Sequence, residues 1–191
     1  STSFLIILFT IMNLPIENIS QAKNLLRWPA RMQLVKADSN ILLLDAAHNP
    51  SGLLRVLPEL KENIKKLSPI IDNNQTWTLI YGTSPQKNLQ EMLDYVSQLC
   101  SPIPPNKICL TKPLGGRYPG VDTSILAQYQ WPIDEVKEFD NAEKVLDYLS
   151  QYNPSENGLI VSLGSLYLQG NILNYLGLDS DEELSILPKQ S

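Results

Sequence analysis

Apolar residues in this chain fall into two kinds of run that alternate along its length. Ile41–Leu44, Thr76–Tyr81, Lys107–Thr111 and Leu159–Leu163 are short runs bounded by turn residues, the pattern of strands buried on both faces. Between them, apolar side chains recur at steps of three and four. Leu53, Leu57, Leu60, Ile64 and Leu67 form one stripe, and Leu89, Met92, Leu93, Val96 and Leu99 form another. Ala142, Val145, Leu146 and Leu149 follow a capping Asn141, and Leu166, Ile172, Leu173 and Leu176 close the series. A helix around Thr123–Tyr129 and a short strand over Val136–Phe139 complete the pattern. Met32–Lys36 and Asn40–Leu44 flank the polar turn Ala37-Asp38-Ser39, which predicts a hairpin with an antiparallel first strand at the sheet edge. Strand and helix in alternation predict an α/β fold: a Rossmann-like open, mostly parallel sheet with one antiparallel edge strand and helices on both faces. Pro58 falls inside the first of these helices and predicts a kink or a split there.

Ahead of this series, residues 3–14 read as a mostly apolar helix closed by Pro15, and residues 18–26 as a second, amphipathic one. The run from Phe4 to Met12 is too short to cross a bilayer and has no basic residues before it, so neither a membrane span nor a signal peptide is expected. It reads instead as a helix that packs against something larger.

Composition narrows the function classes. The chain has 191 residues, 15 basic against 20 acidic, a net charge of −5, and no basic run, which gives nucleic-acid binding little electrostatic support. Cys100 and Cys109 do not make a disulfide framework, and with a single histidine no zinc-site spacing occurs. A reducing, cytoplasmic setting is expected.

The candidate chemistry gathers on Leu44-Asp45-Ala46-Ala47-His48-Asn49-Pro50. A buried strand ends in a carboxylate, passes through a small-residue turn holding the one histidine, and meets an N-cap Asn followed by Pro at the first helical position. The carboxyl end of a strand facing a helix N-terminus is where open α/β sheets bind ligands. Burying Asp45 unpartnered would be costly, so it meets either a ligand or the N–H groups of its own loop. Ser165 recurs at the same kind of place, after the Leu159–Leu163 strand. There it either caps the next helix or offers its hydroxyl and nearby N–H groups to an anion.

Trp28-Pro29-Ala30-Arg31, Asp45-Ala46-Ala47-His48-Asn49-Pro50 and Gly164-Ser165-Leu166-Tyr167-Leu168, in that order, resemble the C-terminal domain of folylpolyglutamate synthases and dihydrofolate synthases, of the Mur ligase superfamily. The family more often carries Gly at the positions of Ala30 and Ala46. The resemblance implies that residues 1–27 are the end of an N-terminal ATPase domain and its linker, and that residues 28–191 form the glutamate-ligase domain. It implies ATP contacts for Arg31 and Asp45, the latter through the ribose or by ordering Arg31. His48, Lys87 and Ser165 are implied near the incoming glutamate or the acyl phosphate, with His48 also as the candidate catalytic residue. Lys87 lacks the flanking aspartates of the family's Asp-Lys-Asp turn, and Arg117 matches a basic residue of the family only loosely.

The resembled enzymes use ATP and Mg2+ to activate a folate or dihydropteroate carboxylate as an acyl phosphate, which the amine of L-glutamate attacks. The phosphate cradle that this needs, Gly-x-x-Gly-Lys-Ser/Thr or similar, is absent from these 191 residues, and metal ligands are expected on the ATPase domain. The expected function is therefore one half of such a ligase, inactive by itself. The alternative is a non-catalytic stand-alone or split-gene binding module. A hydrolase using Ser165 or another serine with His48 and Asp45 is a third reading; it lacks a Gly-x-Ser-x-Gly elbow.

Overall fold

Strands β1 (Gln33–Ala37), β2 (Asn40–Leu44), β5 (Trp77–Tyr81), β6 (Lys107–Thr111), β7 (Val136–Phe139) and β8 (Leu159–Leu163) form one sheet, and β3 (Ile70–Ile71) and β4 (Asn74–Gln75) pair as a separate small hairpin. The helices are α1 (Pro50–Leu67), α2 (Leu89–Cys100), α3 (Thr123–Ala127), α4 (Ala142–Ser150) and α5 (Leu166–Tyr175). The computed structural model describes residues 30–37, 40–71, 74–151 and 158–178. The helices expected at residues 3–14 and 18–26, the boundary at residue 27, the Asp38-Ser39 turn and the tail after Leu178 lie outside them.

The sheet runs in the order β1-β2-β8-β5-β6-β7. β1 pairs antiparallel with β2, while β2, β8, β5, β6 and β7 are mutually parallel. The α/β sheet with a single antiparallel edge is thus present as expected. The strand order was not readable from periodicity: β8, the last strand of the chain, inserts between β2 and β5. That insertion sets the carboxyl ends of β2 and β8, and hence the loops carrying Asp45 and Ser165, side by side.

Successive strand side chains point to opposite faces. Leu43, Leu79, Tyr81, Ile108, Leu110 and Val161 join the apolar stripes of α1 and α2 in the main core. Leu42, Leu44, Ile80, Cys109 and Ile160 alternate with these and are equally buried. α4 meets β6 and β7, and α5 meets β8. Cys100 and Cys109 are buried free thiols, pushed up to about 12 by desolvation. α1 runs unbroken through Pro58, which removes the split reading. Its start is the one expected: Asn49 accepts the Gly52 N–H at 2.8 Å, and Pro50 opens the helix. Among the described residues no helix is long and apolar enough to cross a membrane.

The ends of the central strands crowd together. A Cβ on Gly82 would lie 2.2 Å from the Thr111 carbonyl oxygen. Gly164, at φ +107°, would place one 2.6 Å from the Gly82 oxygen. Both neighbours are backbone and cannot swing aside. Gly82→Ala is therefore expected to lower the unfolding free energy by about 3 kcal/mol. Gly170→Ala, inside α5 with nothing near its would-be Cβ, should raise it by roughly 0.5–1 kcal/mol. Urea unfolding of the two variants checks both signs.

Candidate functional site

Asp45 leaves β2 with its N–H donating to the Ser162 carbonyl of β8 at 3.0 Å, so the ladder carries the residue to the edge of the sheet. Its side chain is fully buried. One carboxylate oxygen, Oδ1, accepts the Ala47 N–H at 2.8 Å, and the other, Oδ2, accepts the Met32 N–H at 3.0 Å. Of the two partners foreseen for a buried Asp45, backbone N–H groups are the ones observed, from its own loop and from the turn before β1. Desolvation pushes the carboxyl above its ordinary value. The Ala47 and Met32 N–H groups and the charge of Arg31 pull it back only in part.

The turn that Asp45 holds is strained. Ala30 (φ 56°) and Met32 (φ 47°) both occupy the left-handed region, which costs a side-chain-bearing residue roughly 1–2 kcal/mol. The Met32 bond opposes that cost, as do the Ala46 N–H donating to the Ala30 carbonyl and the Ala30 N–H donating to Gln33 Oε1, both at 2.8 Å. Glycine suits a backbone like that of Ala30, which accounts physically for the small-residue preference of the resembled motif there. Arg31 stands between the two strained residues with its side chain exposed. Its guanidinium is thus presented from a fixed turn, free for a bidentate pair with phosphate or carboxylate.

His48 is exposed, and its Nδ1 lies 2.9 Å from the Ala46 carbonyl oxygen. A carbonyl only accepts, so Nδ1 is the donor in this bond, which leaves Nε2 as the ring's other polar atom. His48 therefore does not pair with Asp45, whose two oxygens are both taken by N–H groups. Ser165 is buried and caps α5, its Oγ accepting the Tyr167 N–H at 3.1 Å. The Ser165–His48–Asp45 hydrolase arrangement is not assembled.

Lys87 is exposed just before α2 and takes no part in the Asp45 hydrogen bonds. An open groove of about 380 Å3, bounded by Pro50, Ser51, Leu54, Asn88, Glu91 and Tyr95, runs between the N-terminal ends of α1 and α2. Arg117 lies on an exposed loop with its guanidinium 5.6 Å over the Tyr118 ring. Asn171 of α5 pins that loop, accepting the Leu114 N–H at 2.8 Å and donating to the Leu114 carbonyl at 3.2 Å. Among the described residues no three His, Cys, Asp or Glu side chains are grouped to hold a metal.

Gln33, Met32 and Gln169 were not foreseen as participants. Met32 enters through its backbone N–H, which no residue-type pattern signals. Gln169 is fully buried and donates from Nε2 to the Asp45 carbonyl at 3.1 Å. The clue to it is a polar amide on the apolar stripe of α5.

No protein-family model matches the chain, and no curated protein matches it in sequence. Solved structures do match in fold. The bifunctional folylpolyglutamate synthase/dihydrofolate synthase of Yersinia pestis aligns at a TM-score of 0.63 and 19% identity, over 86% of this chain and 35% of its own. Folylpolyglutamate synthase of Thermotoga maritima aligns at 0.61 and 17%, over 90% and 36%. FolC of E. coli, in complex with DHPP and ADP, aligns at 0.58 and 17%, over 78% and 31%. The chain spans about a third of the length of these structures. It resembles them in fold.

Asp45→Asn replaces one acceptor oxygen by an amide that faces an N–H donor, and is expected to cost about 1–3 kcal/mol. The sign of its pH dependence follows from the raised carboxyl. The native state holds the Asp45 proton to higher pH than the unfolded chain does, so this residue's contribution to stability falls as pH rises through that window. The deficit of Asp45→Asn should accordingly grow as pH is lowered from 7 towards 4, measured by denaturant unfolding of both proteins at each pH.

Proposed function

We propose that this chain is the C-terminal domain of an ATP-dependent ligase that adds L-glutamate to a folate or dihydropteroate carboxylate through an acyl phosphate. In this reading residues 28–191 form the domain, and residues 1–27 end an ATPase domain that supplies the phosphate cradle and the Mg2+ ligands. The observation that carries it is the presentation of Arg31. An exposed guanidinium sits on a turn held by a buried carboxylate, at the sheet edge where Ser165 begins α5.

Arg31 fits the nucleotide: it is a preorganised cation at the carboxyl end of parallel strands, suited to phosphate oxygens. Asp45 has no exposed oxygen, so its part is to hold the Arg31 turn rather than to touch the ribose. His48 offers Nε2 as an acceptor to the ammonium or amine of glutamate, and Lys87 offers a cation to a substrate carboxylate. Ser165 caps α5 and contributes through that helix's N-terminus. When ATP and Mg2+ are bound, they supply the activated phosphoryl group and its charge neutralisation.

The test is nucleotide binding followed by turnover. Calorimetry should detect MgADP binding, and Arg31→Ala should weaken it roughly 10–100-fold, the loss expected for a hydrogen-bonded charge pair. Glutamate addition should occur only when an ATPase domain is present. A ligase rate from this chain alone would sink the proposal, as would MgADP binding indifferent to Arg31.

A further inference from the structure

Gln169 stands on the buried face of α5 beside Leu168, Ile172 and Leu173, and its side chain is completely enclosed. An apolar residue there would complete the stripe. The amide instead leaves Oε1 with no partner among the described residues, which is costly in a dry interior. What the residue does achieve is one long-range bond. Nε2 donates at 3.1 Å to the Asp45 carbonyl, 124 positions earlier in the chain.

That bond joins two parts of the candidate site. On one side, Asp45 grips the Met32 N–H and thereby the strained turn that presents Arg31. On the other, the Gln169 N–H donates to the carbonyl of Ser165, one turn away at the start of α5. We infer that Gln169 is a positioning residue for Arg31, tying the end of β2 to α5 so that the Arg31 turn and the Ser165 helix start hold one fixed relation. The functional meaning of this role rests on the nucleotide reading above; its structural content does not. Groups that must meet one ligand from separate segments depend on such supporting bonds for their geometry.

Gln169→Met keeps the length and bulk of the side chain and removes the donor. Hydrogen exchange in the full 191-residue chain should show the Met32 and Ala47 amides at least tenfold faster, relative to the core amides of Leu79 and Val96. A residue that only stabilises the fold would shift all four alike, and that result overturns the inference. Gln169→Asn, whose amide is too short to reach, should give the same selective loss if the methionine variant does not fold. MgADP binding supplies the functional arm. Gln169→Met should weaken it five- to tenfold when Arg31 is present and leave it unchanged in an Arg31→Ala background. An equal loss in both backgrounds counts against the inference. If the unaltered chain binds no MgADP, the ligase reading fails, and selective exchange at Met32 and Ala47 alone decides the positioning role.

Discussion

One buried carboxylate organises the candidate site. Asp45 lies where a charge is expensive, and that expense is tolerated because two backbone N–H groups from different segments converge on its oxygens. The strained backbone at Ala30 and Met32 is held by the Met32 bond together with the Ala46–Ala30 and Ala30–Gln33 bonds. Without the carboxylate, the turn ahead of β1 would keep only the Ala46–Ala30 and Ala30–Gln33 bonds, and Arg31 would lose part of what fixes its turn. Burial strengthens the arrangement: in a low-dielectric setting the N–H bonds to the ionised form are stronger than they would be in water.

Sheet topology decides what stands next to Asp45. Because β8 inserts between β2 and β5, the segments after β2, β8 and β5 emerge beside one another. Gly164 and Gly82 pack backbone to backbone there, which leaves no room for side chains between the strand ends. Arg31 and His48 are exposed. Ser165 and Gln169 are buried. Rigid parts are thus buried and reactive parts exposed, the division expected where a scaffold presents side chains to a ligand.

Much of this was legible from residue order alone. Unbroken apolar runs and period-3.6 patterning marked β2, β5, β6, β8, α1, α2 and α4 to within a residue or two, because each buries such a run or a clean stripe. The Asn49-Pro50 start of α1 was legible for the same reason, since capping is local chemistry. The two-residue strands β3 and β4 were not, being too short to carry a period. Strand order was not either, because it follows from which faces pack best once the helices exist. At the site, Asp45 stood out by residue type, and Arg31 only through the motif that carries the resemblance. The bond that relates them runs through the Met32 main chain, which any side chain would supply equally well. Gln169 was hidden differently: its position belongs to the α5 stripe, and only its chemistry departs from it.

The central place of β8 also bears on how the chain acquires its structure. Ile41 on β2 pairs with Leu159, and Trp77 on β5 pairs with the same residue. The middle of the sheet therefore stays open until nearly all of the described chain is available. During synthesis, β2 and β5 would each present an unpaired edge while the intervening segments are made. Long-range pairings of this kind slow folding, since loop closure is paid before the contacts that reward it. Ser165 and Gln169 follow directly on that strand, so the candidate site becomes complete in the same late event that closes the sheet.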